Sequence, residues 1–213
     1  MDFAVYIGEE KILIYKKGDG IILNEPALLA YKNNTLIAVG KSAQVLSGDS
    51  GISVFPVVSN GTIRNINDSA VFIRNMAEKV GGITNCIFCI SSSLSANELD
   101  DMKTAIYSAG IVDAVFIPKV IANAFGCGYN IGQKEDVLSI VTDGNFADMA
   151  VIHNHEIVAG GTLEDLSLLD EAKKRLIRKN PAIRQLSGDR ISVINGAGRL
   201  LSGDNLRKIV KMN

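Results

Sequence analysis

The stretch VYIGEEKILIYKKGDGIILNEPALLA, residues Val5 to Ala30, indicates how this chain begins to fold. Two apolar runs flank a turn at Gly8, and a third strand is predicted to open with Asn24-Glu25-Pro26. Turns of this kind often cradle phosphate through their backbone amides. This turn carries Glu9 and Glu10, so a phosphate-binding shape is combined with two negative charges.

The composition is that of an ordinary globular protein. The chain has 213 residues, of which 47% are apolar, enough for a sizeable core in one or two domains. Its 22 basic and 23 acidic residues include no long Lys/Arg block, so nucleic acid is not expected as a partner. No apolar run approaches the ~20 residues that span a bilayer, and the N-terminus lacks a basic leader, so a cytoplasmic location is expected.

The order of predicted elements is strands first, then alternating helices and strands. The first sixty residues alternate apolar and polar side chains, and a helix is predicted over residues 68–80 with Asp68 or Ser69 as its N-cap. A β-α-β unit follows over residues 85–118, with its helix beginning after Ser95. A short helix ending at Gly126 and Gly128 completes this half.

The second half is predicted to repeat this order, with the division near residues 128–136. Two strands surround Asp143-Gly144-Asn145, a third strand and a helix follow, and RISVIN, residues 190–195, is predicted to be a strand. A turn at residues 196–198 then leads into a last helix. Two similar α/β halves facing a cleft are the resulting hypothesis.

Several of these segments resemble the MreB-like bacterial actin family. LIYKKGDGIILNEPALLAY and IAVGKSAQVL are similar to that family's first meander, a specific match over Val5 to Leu46. Weaker similarity continues through VVSNGTIRNINDSAVFIRNM, AFGCGYNI and VINGAGRLLSG. The resemblance implies an α/β, actin-like fold of two ribonuclease-H-like lobes, with mixed sheets flanked by helices.

The resemblance also implies domain boundaries. The first lobe would cover residues 1–130, with a small inserted subdomain at about 31–65, and the second lobe would cover residues 131–213. Where the family inserts the upper part of its second lobe, this sequence has only NPAIRQLSGD before RISVIN. The second lobe is therefore expected to be reduced, and the chain to be a degenerate, truncated member.

The family clamps Mg-ATP between two hairpin turns, and the matching positions here are altered. The family's Asp-x-Gly-Thr turn falls on Tyr6, Ile7, Gly8 and Glu9, of which only the glycine agrees. Its second turn, Asp-x-Gly-Gly-Gly-Thr, falls on VTDGNF, residues 141–146, where Asp143, Gly144 and Asn145 are the degenerate counterparts. The family's water-positioning glutamate falls on Pro118 to Val120, which contains no carboxylate.

Among the family's nucleotide-binding segments, the turn that contacts adenosine is the one that this sequence matches best. Gly196 and Gly198 match its Gly-Gly-Gly-x-Leu-Leu segment, although glycines at a strand-to-helix turn also serve plain close packing. The degenerate nucleotide-binding residues predicted from the resemblance are therefore Gly8, Glu9, Asp143, Gly144, Asn145, Gly196 and Gly198. No catalytic residue and no metal ligand is assigned.

Other reactive side chains have structural explanations. Cys86 and Cys89 lie in an apolar run that predicts a buried strand, and a zinc site would need a second cysteine pair. His153 and His155 are spaced as neighbours on one face of a strand, which indicates an exposed hairpin more readily than a metal site.

The function expected from the sequence is that of a non-catalytic, MreB-like scaffold, cytoskeletal or related to cell shape, that acts by binding protein or by self-assembly. One alternative is a divergent ATP-binding switch or ATPase that uses Asp143 for Mg and the Gly196 turn for adenosine. Another is a filament that needs no nucleotide. No cofactor is expected unless ATP and Mg bind, and a peripheral membrane contact through the basic stretch DEAKKRLIRKNPAIR stays open.

Overall fold

A computed structural model describes residues 1–130, 135–154, 156–178 and 180–201. The strands are β1 Phe3–Ile7, β2 Lys11–Lys16, β3 Gly20–Pro26, β4 Leu28–Lys32, β5 Thr35–Val39, β6 Ile52–Pro56, β7 Val58–Ser59, β8 Thr62–Ile63, β9 Asn85–Ile90, β10 Asp113–Pro118, β11 Val137–Asp143, β12 Phe146–His153, β13 Glu156–Leu163 and β14 Arg184–Gly188. The helices are α1 Lys41–Val45, α2 Ile66–Lys79, α3 Ala96–Ser108, α4 Lys119–Gly126, α5 Leu169–Leu176 and α6 Arg190–Leu200, with a 3₁₀ turn at Leu166–Leu168.

The first sheet is mixed and has the strand order β10-β9-β1-β2-β3. Strands β1, β2 and β3 form an antiparallel meander. Strands β1, β9 and β10 run parallel, as the predicted β-α-β unit requires. The third strand begins at Gly20, so Asn24-Glu25-Pro26 closes β3 and does not open it. The exposed Ile21 and Ile22 belong to β3 because the Lys17-Gly20 turn is tight enough to reverse the chain.

The second sheet has the order β13-β12-β11-β14 and repeats the meander of the first. Its parallel strand is β14, which pairs with β11 from Val137↔Arg184 to Val141↔Gly188. The predicted strand at residues 190–195 is wrong, because these residues form the first half of α6. Asp189 caps that helix by accepting hydrogen bonds from the amides of Ile191 and Ser192.

The helices that flank the first sheet follow the sequence pattern. The N-cap of α2 is Asn65, whose side chain accepts from the amide of Asp68, and not Asp68 or Ser69 as predicted. The predicted start of α3 is confirmed, since Ser95 and Glu98 form a reciprocal capping box. Both helices bury their apolar faces on the side of the first sheet that carries Val5, Ile12 and Ile14.

The layers alternate between helices and sheets. Helices α4 and α6 lie between the two sheets, where their side chains join residues of both sheets in one core. Helix α5 packs on the outer face of the second sheet. Successive side chains of a strand point to opposite faces, so each sheet can present apolar side chains to a helical layer on both sides. The members of the central core include Ala4, Tyr6, Leu13, Ile87, Ile121, Phe125, Val141, Ala150, Val193 and Ala197.

A small three-stranded sheet, β5-β4-β6, extends from the first sheet and packs with α1. A separate hairpin, β7 and β8, follows it and carries a turn at Asn60 and Gly61. Among the residues described, no helix is long and apolar enough to cross a membrane.

Candidate functional site

Two hairpin turns from different sheets meet at the edge of the central layer. The turn between β1 and β2 carries Glu9 and Glu10, and the turn between β11 and β12 carries Gly144 and Asn145. The backbone N–H of Glu9 donates a hydrogen bond to Asp143 Oδ2 at 2.9 Å. The structure therefore brings together the predicted residues of both turns.

The space beside Gly8 is filled by side chains of the protein. A Cβ atom at this position would lie 1.9 Å from Asp143 Oδ2 and 2.7 Å from the Tyr6 hydroxyl. The position requires glycine because the neighbouring carboxylate approaches the backbone so closely. The resemblance assigns the backbone at this glycine to phosphate. In this chain the Asp143 carboxylate approaches that backbone instead.

The two glutamates of the first turn are both engaged. Glu9 Oε1 accepts a hydrogen bond of 2.7 Å from the amide of Asn60 in the turn between β7 and β8. Glu10 Oε2 pairs with Arg190 Nη1 at 2.5 Å, which ties the first turn to the start of α6. The first turn is held by contacts to three other segments of the chain.

Gly144 and Asn145 lie beside these carboxylates. A Cβ atom on Gly144, whose φ is +61°, would lie 2.8 Å from Glu9 Oε2. Together with Glu9 and Glu10, Gly144 and Asn145 line a shallow open groove on the surface.

Buried ionisable groups lie directly behind the turns. Lys119 is 3% exposed and its Nζ lies 4.7 Å from the centroid of the Tyr6 ring. Burial, and after it the negative charge of Asp143, raises the pKa of Tyr6 well above its ordinary value. The Tyr6 hydroxyl and the Asp143 carboxylate both lie close to Gly8. Among the described residues, the Tyr6 hydroxyl and Asp143 Oδ1 have no hydrogen bond of ordinary geometry.

Lys119 belongs to the segment that aligns with the family's water-positioning glutamate. It is the first residue of α4, and its neighbours Pro118 and Val120 supply no carboxylate. A buried lysine, packed against the Tyr6 ring, thus lies where the resemblance expects an acid.

A second connection between the sheets was missed by sequence reasoning. The amide of Ser92, which follows β9, donates to Asp148 Oδ2 at 2.9 Å, and the Ser92 hydroxyl also donates to Asp148 Oδ1. Asp148 is 1% exposed in the middle of β12. A charged residue in an otherwise apolar strand was the one signal in the sequence that could have identified it.

Gly196 and Gly198 do not form the predicted strand-to-helix turn, since both lie inside α6. A Cβ atom on Gly196 would lie 1.8 Å from the Ala122 carbonyl oxygen, and one on Gly198 would lie 2.7 Å from the Tyr15 ring. Their structural role is close packing, the alternative that the sequence left open. Whether either contacts a nucleotide stays a prediction.

The true strand-to-helix turn of this segment is Gly188-Asp189. Next to it, the buried amide of Asn123 donates to Ser139 Oγ and to the carbonyl of Leu186, at 2.9 and 3.0 Å. Asn123 also accepts a hydrogen bond from Ser192 Oγ at 2.5 Å. Asn123 thereby joins α4 to the second sheet through buried hydrogen bonds and to α6 through a partly buried one.

The remaining reactive residues behave structurally. Burial raises the pKa of Cys86 and of Cys89 to about 12, so both thiols are protonated at neutral pH. His153 pairs with Asp136 at 2.5 Å, and His155 lies outside the described residues. Over the described part of the chain, no three His, Cys, Asp or Glu side chains are grouped as metal ligands.

The electrostatics of the two turns oppose an incoming phosphate. A phosphate would need free amide donors, and the Glu9 amide is already bonded to Asp143. It would also approach the carboxylates of Glu9, Glu10 and Asp143, and each repels it at short range. The residues present therefore do not fit a magnesium triphosphate in this arrangement.

Comparison with protein families and curated proteins gives consistent results. The family model described as MreB/Mbl protein matches residues 1–183. The chain is 23% identical over 188 residues to the cell shape-determining protein Mbl of Bacillus subtilis. This alignment covers 81% of this chain and 56% of that protein. The chain is 22% identical over 225 residues to the cell shape-determining protein MreB of Escherichia coli, covering 98% of this chain and 64% of that protein. The chain thus spans less than two thirds of the length of these relatives.

Solved structures agree with the fold. The crystal structure of MreB5 of Spiroplasma citri bound to ADP matches with a TM-score of 0.67 and 23% identity, over 84% of this chain and 57% of that chain. The structure of the same protein bound to AMPPNP matches with a TM-score of 0.67 and 22% identity, over 84% and 58%. At this level of identity the likeness shows the fold, and it confirms the α/β, actin-like class predicted from the sequence.

Proposed function

Because this chain belongs to the MreB/Mbl family, as the resemblance of its sequence predicted, we propose that it is a non-catalytic member that serves as a cytoskeletal scaffold. Its relatives are cell shape-determining proteins, so the process it serves is the maintenance of cell shape, within the cytoplasm. It acts by contacts with protein, either a partner or further copies of itself, and not by hydrolysing ATP.

The observation that carries this proposal is the hydrogen bond between the Glu9 amide and Asp143. A ligand that bridges two lobes stabilises the closed form by binding to both. Here Asp143 makes that bridge from within the chain, and Glu10 with Arg190 and Ser92 with Asp148 make two more. A closed cleft then needs no nucleotide.

The segment Pro118 to Val120, which aligns with the family's water-positioning glutamate, contains no carboxylate, and this supports the same proposal. Phosphoryl transfer depends on positioning the attacking water and on neutralising phosphate charge. The segment that should supply the positioning carboxylate supplies Lys119, which is buried against Tyr6. The carboxylates at the turns add negative charge and therefore oppose the neutralisation of phosphate charge.

A divergent nucleotide switch is the alternative, and one observation favours it. Lys119 and Arg190 place two cations near the turns, and cations attract phosphate. The Spiroplasma relative was solved with ADP. This alternative loses part of its basis, however, because the expected adenosine turn at Gly196 is the interior of a helix.

Calorimetry with ATP, with and without Mg²⁺, tests the proposal directly. The unaltered protein is expected to give no binding heat up to millimolar ATP. The variant Glu9→Thr restores the hydroxyl residue of the family and removes one carboxylate. Glu78→Thr removes an exposed carboxylate from α2 and serves as the matched control.

Each result has a definite meaning. Absence of heat for the unaltered protein and for Glu78→Thr supports a scaffold without nucleotide. Weak binding that is gained only by Glu9→Thr supports it further, because it identifies the charge that excludes phosphate. Micromolar, magnesium-dependent binding by the unaltered protein would overturn the proposal in favour of the switch.

A further inference from the structure

An open groove runs between strand β5 and helix α2. Strand β5 is the edge of the small sheet, so its outer side has no neighbouring strand within the described residues. The opposite wall is a stripe of α2 residues spaced by four, Val71, Asn75 and Lys79, which share one face of the helix. We call this feature the β5–α2 groove; its other lining residues are Leu36, Ile37, Ala38, Val39 and Ser42.

The β5–α2 groove exposes apolar side chains that a soluble surface rarely groups together. Ile37 is 45% exposed and Val71 is 46% exposed on opposite walls. A β-bulge in β5 leaves Ile37 without a direct partner on β4. An unpaired strand edge beside an apolar helix stripe suits an added strand, whose backbone bonds to the edge while alternate side chains enter the groove.

The same chain carries a strand that could be added. Within the part of the chain that the structure describes, β13 is the edge of the second sheet, and residues 156–160 are exposed along their whole length. Val158 is 55% exposed, and Ile157 beside it is also exposed. Over this half of the strand neither proline nor lysine blocks an approaching edge, although these residues commonly protect such strands.

The charges at the ends of the two surfaces are complementary. Exposed lysines flank β5 at both ends, Lys32 before it and Lys41 after it. Acidic residues flank β13 at both ends, with Glu156 at its start and Glu164 just after its last residue. Pairing β13 with itself in antiparallel fashion would instead place Glu156 near Glu164, and like charges repel.

From these observations we propose that β13 of one copy of this chain adds to β5 of a second copy and fills its β5–α2 groove. This deepens the scaffold function proposed above by naming the partner as a second copy and by giving the contact. The two surfaces differ, so the contact is heterologous. Each added copy therefore presents a free groove or a free strand, and assembly continues as an open chain.

Sedimentation of the unaltered protein without nucleotide, over a wide concentration range, tests the assembly. The average mass is expected to rise continuously with concentration. Val71→Asp in the groove and Val158→Asp in the strand each bury a charge in the contact and are expected to stay monomeric. Val112→Asp alters a residue that is 75% exposed outside both surfaces and should assemble normally. Circular dichroism verifies that each variant is folded.

Mixing the two monomeric variants gives the decisive result. Val71→Asp keeps an intact strand and Val158→Asp keeps an intact groove, so one such contact can form between them. The mixture should give a dimer and nothing larger. Glu156→Lys, a second strand variant that adds no apolar change, should also weaken assembly of the full chain.

Three outcomes would overturn this inference. They are a monomeric unaltered protein at every concentration, assembly that is unaffected by either variant, and a mixture that forms no dimer. None of them depends on ATP, so they are distinguishable from failure of the calorimetric test. A non-assembling protein that binds no ATP would still be a scaffold for a different partner.

Discussion

The amide of Glu9 and the carboxylate of Asp143 are joined by a hydrogen bond although 134 residues separate them in the chain. Both are located at turns that the family resemblance assigns to phosphate. Asp143 of the second turn therefore accepts the hydrogen bond that the Glu9 amide of the first turn would otherwise offer to a ligand. The two turns are thus joined by groups of the chain itself.

Removal of this bond should expose the Glu9 amide. In Asp143→Ala the amide loses its acceptor, so its hydrogen exchange should accelerate, and unfolding should need about 1–3 kcal/mol less. Exchange resolved at single residues and denaturant unfolding measure the two effects. The control Asp136→Ala removes an exposed carboxylate bonded to His153 and should leave Glu9 exchange unchanged. Equal Glu9 exchange in both variants would contradict the bond.

Two tyrosines, the buried Tyr6 and the half-buried Tyr31, should respond differently to loss of the hydroxyl. The Tyr31 hydroxyl donates to Asp68 Oδ2 at 2.6 Å, whereas the Tyr6 hydroxyl lies beside Asp143 without a hydrogen bond of ordinary geometry among the described residues. Tyr31→Phe should therefore cost about 0.5–1.5 kcal/mol at neutral pH, and Tyr6→Phe should be close to neutral or stabilising. Thermal and denaturant unfolding of both variants compare them. A larger loss for Tyr6→Phe than for Tyr31→Phe would be the contrary result.

Alkaline pH should destabilise the protein through Tyr6. The pKa of Tyr6 is raised in the folded state, so the neutral phenol is the form that folding favours. Its contribution is complete below the unfolded-state pKa of about 10 and is lost as pH rises towards the folded-state value. Stability measured against pH above about 10 should fall less steeply in Tyr6→Phe than in the unaltered protein. Parallel curves would show that Tyr6 is not the titrating group.

The sequence predicted those parts of the fold that depend on local pattern. The first meander, the β-α-β unit and the capping box of α3 follow from alternation, apolar spacing and one Ser-Glu pair. The strand predicted at residues 190–195 failed because Ile191, Val193 and Ile194 are β-branched residues that also favour strands. Tertiary packing against α4 decides for a helix, and β14 was missed because only Leu186 within it is buried.

Only part of the candidate site could be predicted from the sequence. The resemblance indicated which turns to compare, and the substitutions at Glu9 and Asp143 were visible. The bond between them, the pairing of Glu10 with Arg190 and the bridge from Ser92 to Asp148 were not. These contacts join residues that are remote in sequence, and no local spacing encodes them.

The packing role of Gly196 can be separated from a nucleotide role by one substitution. A methyl group at Gly196 would overlap the Ala122 carbonyl and the Gly126 amide, at 1.8 and 2.6 Å, where α6 crosses α4. Gly196→Ala should therefore lower the free energy of unfolding by about 3 kcal/mol or prevent folding, despite the better helix propensity of alanine. Gly161→Ala, whose Cβ meets nothing within 4 Å, is the control and should change stability little. A stable Gly196→Ala protein would contradict the close helix crossing.

Acid should weaken the link between β3 and α2. Lys79 Nζ lies 2.8 Å from Glu25 Oε2, and the Lys41 amide also donates to this carboxylate. Burial alone would raise the pKa of Glu25, but the hydrogen bonds and charges of Lys79 and Lys41 outweigh it, so the pKa is lowered. A lowered folded-state pKa contributes stability above the unfolded-state value of about 4.3, and this contribution is lost as pH falls through the folded-state pKa.

Glu25→Gln removes the titrating group and should therefore flatten the acid limb of the stability curve. At neutral pH the variant should lose about 1 kcal/mol or less, since the pair is only partly buried and salt screens it. Denaturant unfolding at a series of pH values measures both effects. The exposed Glu78, altered to Gln, is the matched control and should keep the acid dependence of the unaltered protein. If Glu25→Gln and Glu78→Gln give the same pH profile, the pair with Lys79 contributes nothing measurable to the fold.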